Sequence, residues 1–199
     1  DKPRPTFVTG AYTALSRRNL TEATCKKWGY QIADVDGEQA QVANYRSRDG
    51  KLVGQKIRFA NKDFKVRGEL VGLYGQHLWR DGGRRVVVTE GEIDALSVSQ
   101  AFEHKWPVVS IPHCAQSVKN HVAQALDWLE SFDEVVFMFD MDDSGRKGAT
   151  ECASLLTPGK AKIAELPLKD PNDMLVANRA KEICQAVFEA RDYRPDGII

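Results

Sequence analysis

Cysteines and histidines are scarce in this sequence, and none of them is spaced for a zinc site. Cys25, Cys114, Cys152 and Cys184 lie far apart, without a Cys-x-x-Cys pair or a histidine at zinc-finger spacing. His113 is adjacent to Cys114, but neighbouring residues of an extended segment point to opposite faces, which disfavours a shared metal or a nucleophile pair. The pattern argues against a zinc finger, and we expect buried, reduced thiols.

Long apolar runs are also missing. None approaches the ~20 residues that cross a bilayer, and the start, DKPRPTFVTG, lacks the basic-then-apolar layout of a signal peptide. We therefore expect a cytoplasmic protein without a membrane partner. The sequence has no initiator methionine, and its last residues, YRPDGII, close no structural element, so we expect a piece of a larger protein.

The chain has no overall excess of either charge, but the two signs are divided along it. In total, 28 Lys and Arg balance 28 Asp and Glu. Residues 1–85 contain 17 basic and 9 acidic residues, whereas residues 86–199 contain 11 basic and 19 acidic residues. This division indicates a polyanion partner for the basic part and bound cations for the acidic part. An ordinary solvated surface is the alternative explanation.

The first part of the chain predicts a small mixed α+β unit. Within residues 1–75 we expect a helix near Leu20, capped by Thr21, and a hairpin at the Asp-Gly pair 49–50. Residues 61–85 contain five glycines and many bases, which predicts a connecting loop.

From Arg85 onward, apolar runs typical of buried strands alternate with helical patterns, and the joints between them are short. This alternation predicts an α/β fold with a parallel sheet flanked by helices. We therefore divide the chain into a basic N-terminal subdomain, residues 1–80, and an α/β catalytic subdomain, residues 81–199.

Acidic residues follow two of the predicted strands. Glu90 comes directly after RVVVT, and Asp140 and Asp142 come at the end of EVVFMF. These carboxylates converge if the strands are neighbours, because ligand sites of parallel sheets lie beyond the carboxyl ends of the strands. Two carboxylates ~4 Å apart repel by about 4 kcal/mol at an effective dielectric of ~20. Mg²⁺ or Mn²⁺ would relieve this repulsion, and the lack of nearby His or Cys argues against zinc.

Helix capping is a competing explanation for several of these acids. Asp142 and Asp143 suit the start of the helix that follows them. Glu92 and Asp94 suit the positive end of the helix after the first acidic strand end. Asp140 directly follows the apolar strand and is less easily explained as a cap, so both explanations stay open.

Two motifs resemble a known domain. TEGEIDAL, followed by FMFDMDDSGRKG, is similar to the glutamate and Asp-x-Asp motifs of the TOPRIM domain, which primases share with type IA and type II topoisomerases. LKDPNDML resembles an acidic segment of primases in this group. The resemblance to the RNA polymerase part of bacteriophage T7-type primase-helicases covers nearly the whole chain, through GYQIADVDG, QVANYRSRDGKLVGQKIR, NKDFK, GQHLW and VVSIPHCAQSVKNH.

This resemblance implies a TOPRIM-type DNA primase core that joins ribonucleoside triphosphates into short RNA primers on a single-stranded DNA template, with Mg²⁺ or Mn²⁺. It implies catalysis and metal binding by Glu90, Asp140 and Asp142. The implied supporting acids are Glu92, Asp94 and Asp170, and the implied nucleotide-binding or template-binding residues are Lys56, Arg58, Lys62, Lys65, Lys169 and Asn172.

The sequence departs from this family in two ways. It has neither the cysteines of the N-terminal zinc ribbon that reads the template nor the Walker A pattern of the helicase motor. We therefore expect a zinc-ribbon domain and a helicase domain elsewhere in the same full-length chain. For a phage gene, the expected location is the cytoplasm of a bacterial host.

Three other functions compete with this one. DMDDS fits a loose pattern of phosphatases with an aspartate nucleophile, although those enzymes usually carry it on their first strand. A TOPRIM nuclease or topoisomerase would use the same metals, but none of the five tyrosines stands in a context that suggests strand passage. A non-catalytic nucleic-acid-binding module is the third alternative, and the intact acidic set argues against it.

Overall fold

The chain forms two compact units, residues 1–71 and residues 72–199, which we call the first and the second unit. The structure is a computed structural model that describes residues 6–112 and 118–195, so the neighbours His113 and Cys114 lie outside the described residues. Within these ranges, none of the helices combines the length and the apolar character that crossing a membrane requires.

The division falls earlier than the boundary predicted after residue 80. Tyr74 forms an isolated antiparallel bridge with Ser110, and the Trp79 Nε1 donates a hydrogen bond to the Val108 carbonyl at 2.7 Å. The segment from residue 72 to residue 80 therefore belongs to the second unit, because its backbone and side chains bond to a strand of that unit.

The described part of the first unit consists of a short 3-10 helix (Ser16–Arg18), one α-helix and a four-stranded antiparallel sheet. Its elements are α1 (Glu22–Trp28), β1 (Tyr30–Val35), β2 (Glu38–Arg46), β3 (Leu52–Arg58) and β4 (Phe64–Gly68), and its strands lie in the order β1-β2-β3-β4. The predicted cap of α1 is confirmed, because the Thr21 hydroxyl accepts a hydrogen bond from the Thr24 amide at 3.1 Å. The predicted hairpin is confirmed as well, since Gly50, with a φ of 83°, lies in the turn between β2 and β3.

Strand β4 shows that the prediction of a loop over residues 61–85 was wrong. Phe64 and Val66 alternate with Lys65 and Arg67, which is the period of two expected of a strand. The prediction gave more weight to the glycines and charges of the segment than to this alternation. The strand forms because its backbone pairs with β3 along its whole length.

One face of the first unit's sheet carries a small core against which Val8 packs. Val42 and Ile57 pair across β2 and β3 on this face, and both are fully buried. On the same face, the Gln55 Nε2 donates to Asn44 Oδ1 and to the Val8 carbonyl, at 2.8 Å each. Because buried amides need hydrogen-bond partners, this network fixes the segment around Val8 against the sheet.

The second unit is a five-stranded sheet with helices on both faces, so the predicted α/β fold is confirmed. Its strand order is β6-β5-β7-β8-β9, parallel except for β9, which runs antiparallel to β8. Its elements are β5 (Gly83–Thr89), α2 (Glu92–Ala101), β6 (Val108–Ser110), α3 (Val118–Gln124), α4 (Leu126–Glu130), β7 (Phe132–Met138), α5 (Asp143–Ala153), β8 (Ala161–Ile163), α6 (Pro171–Val176), α7 (Ala180–Phe188) and β9 (Arg191–Asp192).

The strands of this sheet are apolar on both faces. Val86 and Val88 of β5 belong to the core that also contains residues of α3, α4 and α5. Val87 points to the opposite face, where α2 packs on β5 and also contacts α6 and α7. All three valines are at most 2 % exposed, which explains why RVVVT is an unbroken apolar run.

The strand order reverses between β5 and β7. The chain passes from β5 through α2 to β6 on one side, and from β7 through α5 to β8 on the other side. Such a reversal opens a crevice beyond the carboxyl ends of the two strands, where ligands of open α/β sheets bind.

Candidate active site

Glu90 and Asp140 meet at the crevice between β5 and β7. Thr89 and Met138, the last residues of the two strands, are partners in the parallel register. The Glu90 Oε2 accepts a hydrogen bond from the Asp140 amide at 3.2 Å. The structure therefore brings together two acids that the sequence places after separate strands.

Asp142 is the N-cap of α5. Its Oδ1 accepts a hydrogen bond from the Gly145 amide at 2.9 Å, and the helix begins at Asp143. The capping explanation therefore applies to Asp142, while Asp143 is an exposed residue of the first turn. Because the cap uses one carboxylate oxygen, it also holds the Asp142 side chain beside the end of β7.

Gly145 allows α5 to begin close to Asp140. A Cβ atom added at Gly145 would lie 2.1 Å from the Asp140 carbonyl oxygen, which no side chain tolerates. The close approach at Gly145 was not predicted from the sequence. The available signal was a glycine in the first turn of a predicted helix, where glycine is otherwise unfavourable.

The loop before α6 reaches the same crevice. The Met141 amide donates to the Lys169 carbonyl at 2.7 Å, and the Lys169 Nζ lies 3.6 Å from Asp140 Oδ2. Asp170 is the N-cap of α6, since its Oδ1 accepts a hydrogen bond from the Asp173 amide at 2.7 Å. Lys169 and Asp170 therefore lie beside Asp140.

Asp94 and Asn172 connect α2 to α6. The Asn172 amide donates to Asp94 Oδ1 at 3.2 Å, and the Asn172 side-chain nitrogen donates to Ser97 Oγ at 3.0 Å. Asn172 is 2 % exposed, and its predicted nucleotide contact stays a prediction. Its hydrogen bonds position the start of α6. Glu92 lies in the first turn of α2, like Asp94, and is partly buried.

Burial and mutual repulsion raise the pKa values of the clustered carboxyls. For Glu90 the larger cause of the raised pKa is burial, followed by the charge of Asp140. For Asp140 burial again comes first, followed by the charge of Asp170. The pKa of Asp94 lies well above its usual range, through burial and then the charge of Asp170. Asp140 in turn raises the pKa of the Lys169 ammonium group.

The chemistry of these carboxylates suits a divalent cation, although their side chains do not form a complete coordination site. Among the described residues, no group of three or more His, Cys, Asp or Glu side chains is arranged to hold a metal ion. The Asp140 amide donates to Glu90 Oε2 and the Gly145 amide donates to Asp142 Oδ1, so each of these hydrogen bonds uses one oxygen of its carboxylate. The donor set nevertheless fits Mg²⁺ or Mn²⁺, which prefer oxygen ligands with excess negative charge. The metal assignment stays a prediction.

The basic residues of the first unit that are predicted to bind nucleotide or template are distributed over both faces of its sheet. Lys56 and Arg58 share one face of β3, whereas Lys65 lies on the other face, 3.2 Å from Asp36 Oδ2. Lys62 lies in the turn between β3 and β4 with a φ of 73°, a left-handed conformation that costs a non-glycine residue about 1 kcal/mol. The structure therefore groups Lys56 with Arg58 and separates Lys65 from them.

Comparison with known proteins relates both units to one family. Residues 10–68 match the family described as the bacteriophage T7 DNA helicase/primase N-terminal α+β fold, and residues 87–175 match the Toprim-like family. A DNA helicase/primase of Enterobacteria phage T3 is 42 % identical over 192 residues, which are 96 % of this chain and 34 % of that protein. The chain thus spans about a third of the length of this curated relative.

Solved structures show the same relationship. The primase fragment of the bacteriophage T7 primase-helicase is 41 % identical, with a TM-score of 0.88 over 94 % of this chain and 80 % of that one. A second T7 structure contains primase domains of two gp4 subunits with the lagging-strand DNA polymerase, an RNA/DNA hybrid and dTTP. It is 40 % identical, with a TM-score of 0.89 over 96 % of this chain and 100 % of that one. The DnaG primase catalytic domain bound to single-stranded DNA, at 14 % identity and a TM-score of 0.67 over 90 % of this chain and 73 % of that one, shares the fold.

Proposed function

Since this chain belongs to the bacteriophage T7-type primase-helicase family, we propose that it is a primase core that synthesises short RNA primers on a single-stranded DNA template. The observation that carries the proposal is the convergence of Glu90, Asp140 and the loop at Lys169 on the crevice between β5 and β7. A parallel sheet binds its ligands at this position, and these residues have the charges that phosphoryl transfer requires.

In the proposed reaction, the 3′-oxygen of one ribonucleotide bonds to the α-phosphorus of the next ribonucleoside triphosphate, and pyrophosphate leaves. Glu90, Asp140 and Asp142 would hold Mg²⁺ or Mn²⁺, which when bound neutralises developing charge and favours ionisation of the attacking hydroxyl.

The surrounding residues position these carboxylates. The Asp140 amide orients Glu90 through its hydrogen bond, and the cap to Gly145 orients Asp142. The Lys169 ammonium, 3.6 Å from Asp140 Oδ2, favours the ionised form of that carboxylate. The charge of Asp170 beside Asp140 increases the demand of the site for a cation, and the raised pKa of the buried Asp94 reflects the same crowding of acids.

In the proposed reaction, basic residues of the first unit contact the phosphates. Lys56, Arg58, Lys62 and Lys65 contact the template backbone and the triphosphates. Such contacts position a nucleic acid without reading its sequence. The choice of template sequence therefore belongs to base pairing and to a zinc-ribbon domain in the same full-length chain, next to a helicase domain, in the cytoplasm of a bacterial host.

Primer synthesis tests the proposal directly. This chain is incubated with Mg²⁺ or Mn²⁺, the four ribonucleoside triphosphates and single-stranded DNA, and oligoribonucleotides are resolved on a sequencing gel. We expect metal-dependent, template-dependent products that disappear on addition of EDTA.

Other outcomes of this experiment would favour the competing functions. Cleavage of the DNA without synthesis would favour a TOPRIM nuclease, and binding without either reaction would favour a non-catalytic module. A phosphoaspartate trapped at Asp140 during turnover would favour a phosphatase.

A further inference from the structure

An aromatic side chain lies exposed on the sheet of the first unit. Phe64, the first residue of β4, is 55 % exposed, and Val66, two residues further along the strand, is 41 % exposed. Both belong to the same face of the strand, because strand residues two apart point to the same side. Exposed large apolar side chains that adjoin one another indicate a binding surface rather than a core.

The same face carries two of the basic residues that are predicted to bind the template. In the register of β3 and β4, Arg58 is the partner of Phe64, and Lys56 is the partner of Val66. Residues that are partners across two strands share a face and touch. The Lys56 Nζ lies 5.6 Å from the centroid of the Phe64 ring, within the range of a cation–π contact.

Packing of the first unit does not account for Phe64. The face that contains Val42 and Ile57 carries Lys65 and Arg67 of β4. Phe64 lies on the opposite face, where Ala43 and Tyr45 of β2 are buried while Phe64 itself stays 55 % exposed, so its ring is not part of the core around Val42 and Ile57.

We propose that Phe64 is a stacking platform for an unpaired base of the single-stranded DNA template, with Lys56 and Arg58 holding the phosphates on either side of that base. This inference rests on the proposed function and extends it from phosphate contacts to a base contact. An aromatic ring beside basic side chains, which hold the backbone while the base stacks, is the arrangement by which single strands are bound without sequence preference. Charge complementarity favours a nucleic acid over an apolar protein partner, since residues 1–85 hold 17 Lys and Arg against 9 Asp and Glu.

Oligonucleotides with and without bases test the stacking directly. The dissociation constant is measured for oligo(dT) and for an abasic oligomer of equal length and phosphate number. Phe64→Ala should bind oligo(dT) about tenfold more weakly than the wild type, because one stacked base is lost. Its affinity for the abasic oligomer should equal that of the wild type. Phe64→Trp should restore binding, and the added indole fluorescence should be quenched by oligo(dT) alone.

Phe188 provides a matched control on the second unit. It is 63 % exposed, and the Arg85 guanidinium carbon lies 5.1 Å from its ring centroid, so it reproduces the exposure and the nearby cation of Phe64. Phe188→Ala should leave both dissociation constants unchanged. Far-ultraviolet circular dichroism of each variant confirms that the fold is retained.

Two results would overturn the inference. If Phe64→Ala and the wild type bind oligo(dT) equally, the ring does not stack, while the proposed primase function stands. If the wild type binds neither oligomer, the proposed function fails together with the inference.

Discussion

The two units use their sheets in opposite ways. In the first unit one face of the antiparallel sheet mixes buried and accessible positions: Ala43 and Tyr45 are buried there, whereas Lys56 is partly exposed and Arg58 exposed on β3. In the second unit the parallel strands are buried on both faces, and residues 86–88 of β5 are all valine. Polar functional side chains of the second unit therefore lie beyond the strand ends, as Glu90 and Asp140 do.

This difference has an electrostatic consequence. Basic side chains that remain accessible on a sheet face keep much of their hydration and act as separate charges, which suits contact with a polyanion. Carboxylates crowded at strand ends lose water and repel one another, which raises the pKa values of Glu90 and Asp140. Under the proposed function, this difference assigns binding to the first unit and chemistry to the second.

The largest expected effect comes from removing one strand-end charge. Asp140→Asn should lower the rate of primer synthesis at least ~10³-fold, equivalent to about 4 kcal/mol, because the amide keeps the shape of the side chain but not its charge. Binding of single-stranded DNA should be retained. Asp143→Asn, in the exposed first turn of α5, is the matched control and should keep the wild-type rate. A normal rate for Asp140→Asn would contradict the division of labour between the units.

Two glycines of α5 test how tightly the second unit packs around its site. Gly145→Ala should lower the free energy of unfolding by about 3 kcal/mol, because the new Cβ would lie 2.1 Å from the Asp140 carbonyl oxygen. Gly148→Ala should raise it by about 0.5–1 kcal/mol, since a Cβ there would make an ordinary contact, 3.5 Å from Phe139 Cδ2, and alanine favours a helix. Urea denaturation measures both, and changes of the same sign would refute the close approach.

The charge of Lys56, on the sheet face that it shares with Arg58, should affect template binding rather than the rate of chemistry. Lys56→Ala should weaken template binding about tenfold and reduce the slope of log affinity against log salt by about one. The rate at saturating template and nucleotide should stay near that of the wild type. Lys51→Ala, in the exposed β2–β3 turn, serves as a control for loss of charge alone. A loss confined to the saturated rate would place Lys56 in the chemistry instead.

The raised pKa of Asp94 should make the free energy of unfolding depend on pH. Its folded pKa is raised by burial and by the charge of Asp170, whereas its unfolded value is about 4. The folded state therefore binds the proton more tightly, so stability is greatest below the unfolded pKa and falls as pH rises through the folded pKa. Asp94→Asn should remove this fall and raise the urea midpoint at neutral pH, while the Asn172 amide keeps an acceptor. A gain that is larger at pH 4 than at pH 8 would contradict this sign.

The smallest effect is expected at the turn of the first unit. Lys62→Asn should stabilise the fold by up to about 1 kcal/mol, because asparagine tolerates the left-handed conformation better than lysine. Template binding should weaken a few-fold through loss of one phosphate contact. Lys62→Gln removes the same charge and should weaken binding equally without the gain in stability. Equal stabilities of the two variants would show that the backbone conformation carries no cost.

Local sequence patterns were sufficient to predict many of the strands, caps and turns of this protein. RVVVT predicts a strand buried on both faces, and the position of Glu90 after it predicts a strand-end site, because both features depend on neighbouring residues alone. The cap at Thr21 and the turn at Gly50 followed from side-chain chemistry and backbone freedom in the same way. Strand β4 was missed because its short alternation from Phe64 is stabilised by pairing with β3, which a local pattern does not contain.

The sequence by itself therefore determined the alternating α/β order, the acids that end two strands and the family motifs around them. Only the tertiary structure decided that β5 and β7 are neighbours, that Gly145 must lack a side chain, and that Asn172 is buried against Asp94. The physical reason is that strand pairing and helix packing join residues distant in the chain, as Asp94 and Asn172 are, 78 positions apart. Hydrogen bonds and steric fit at that range arise only when the whole unit is folded.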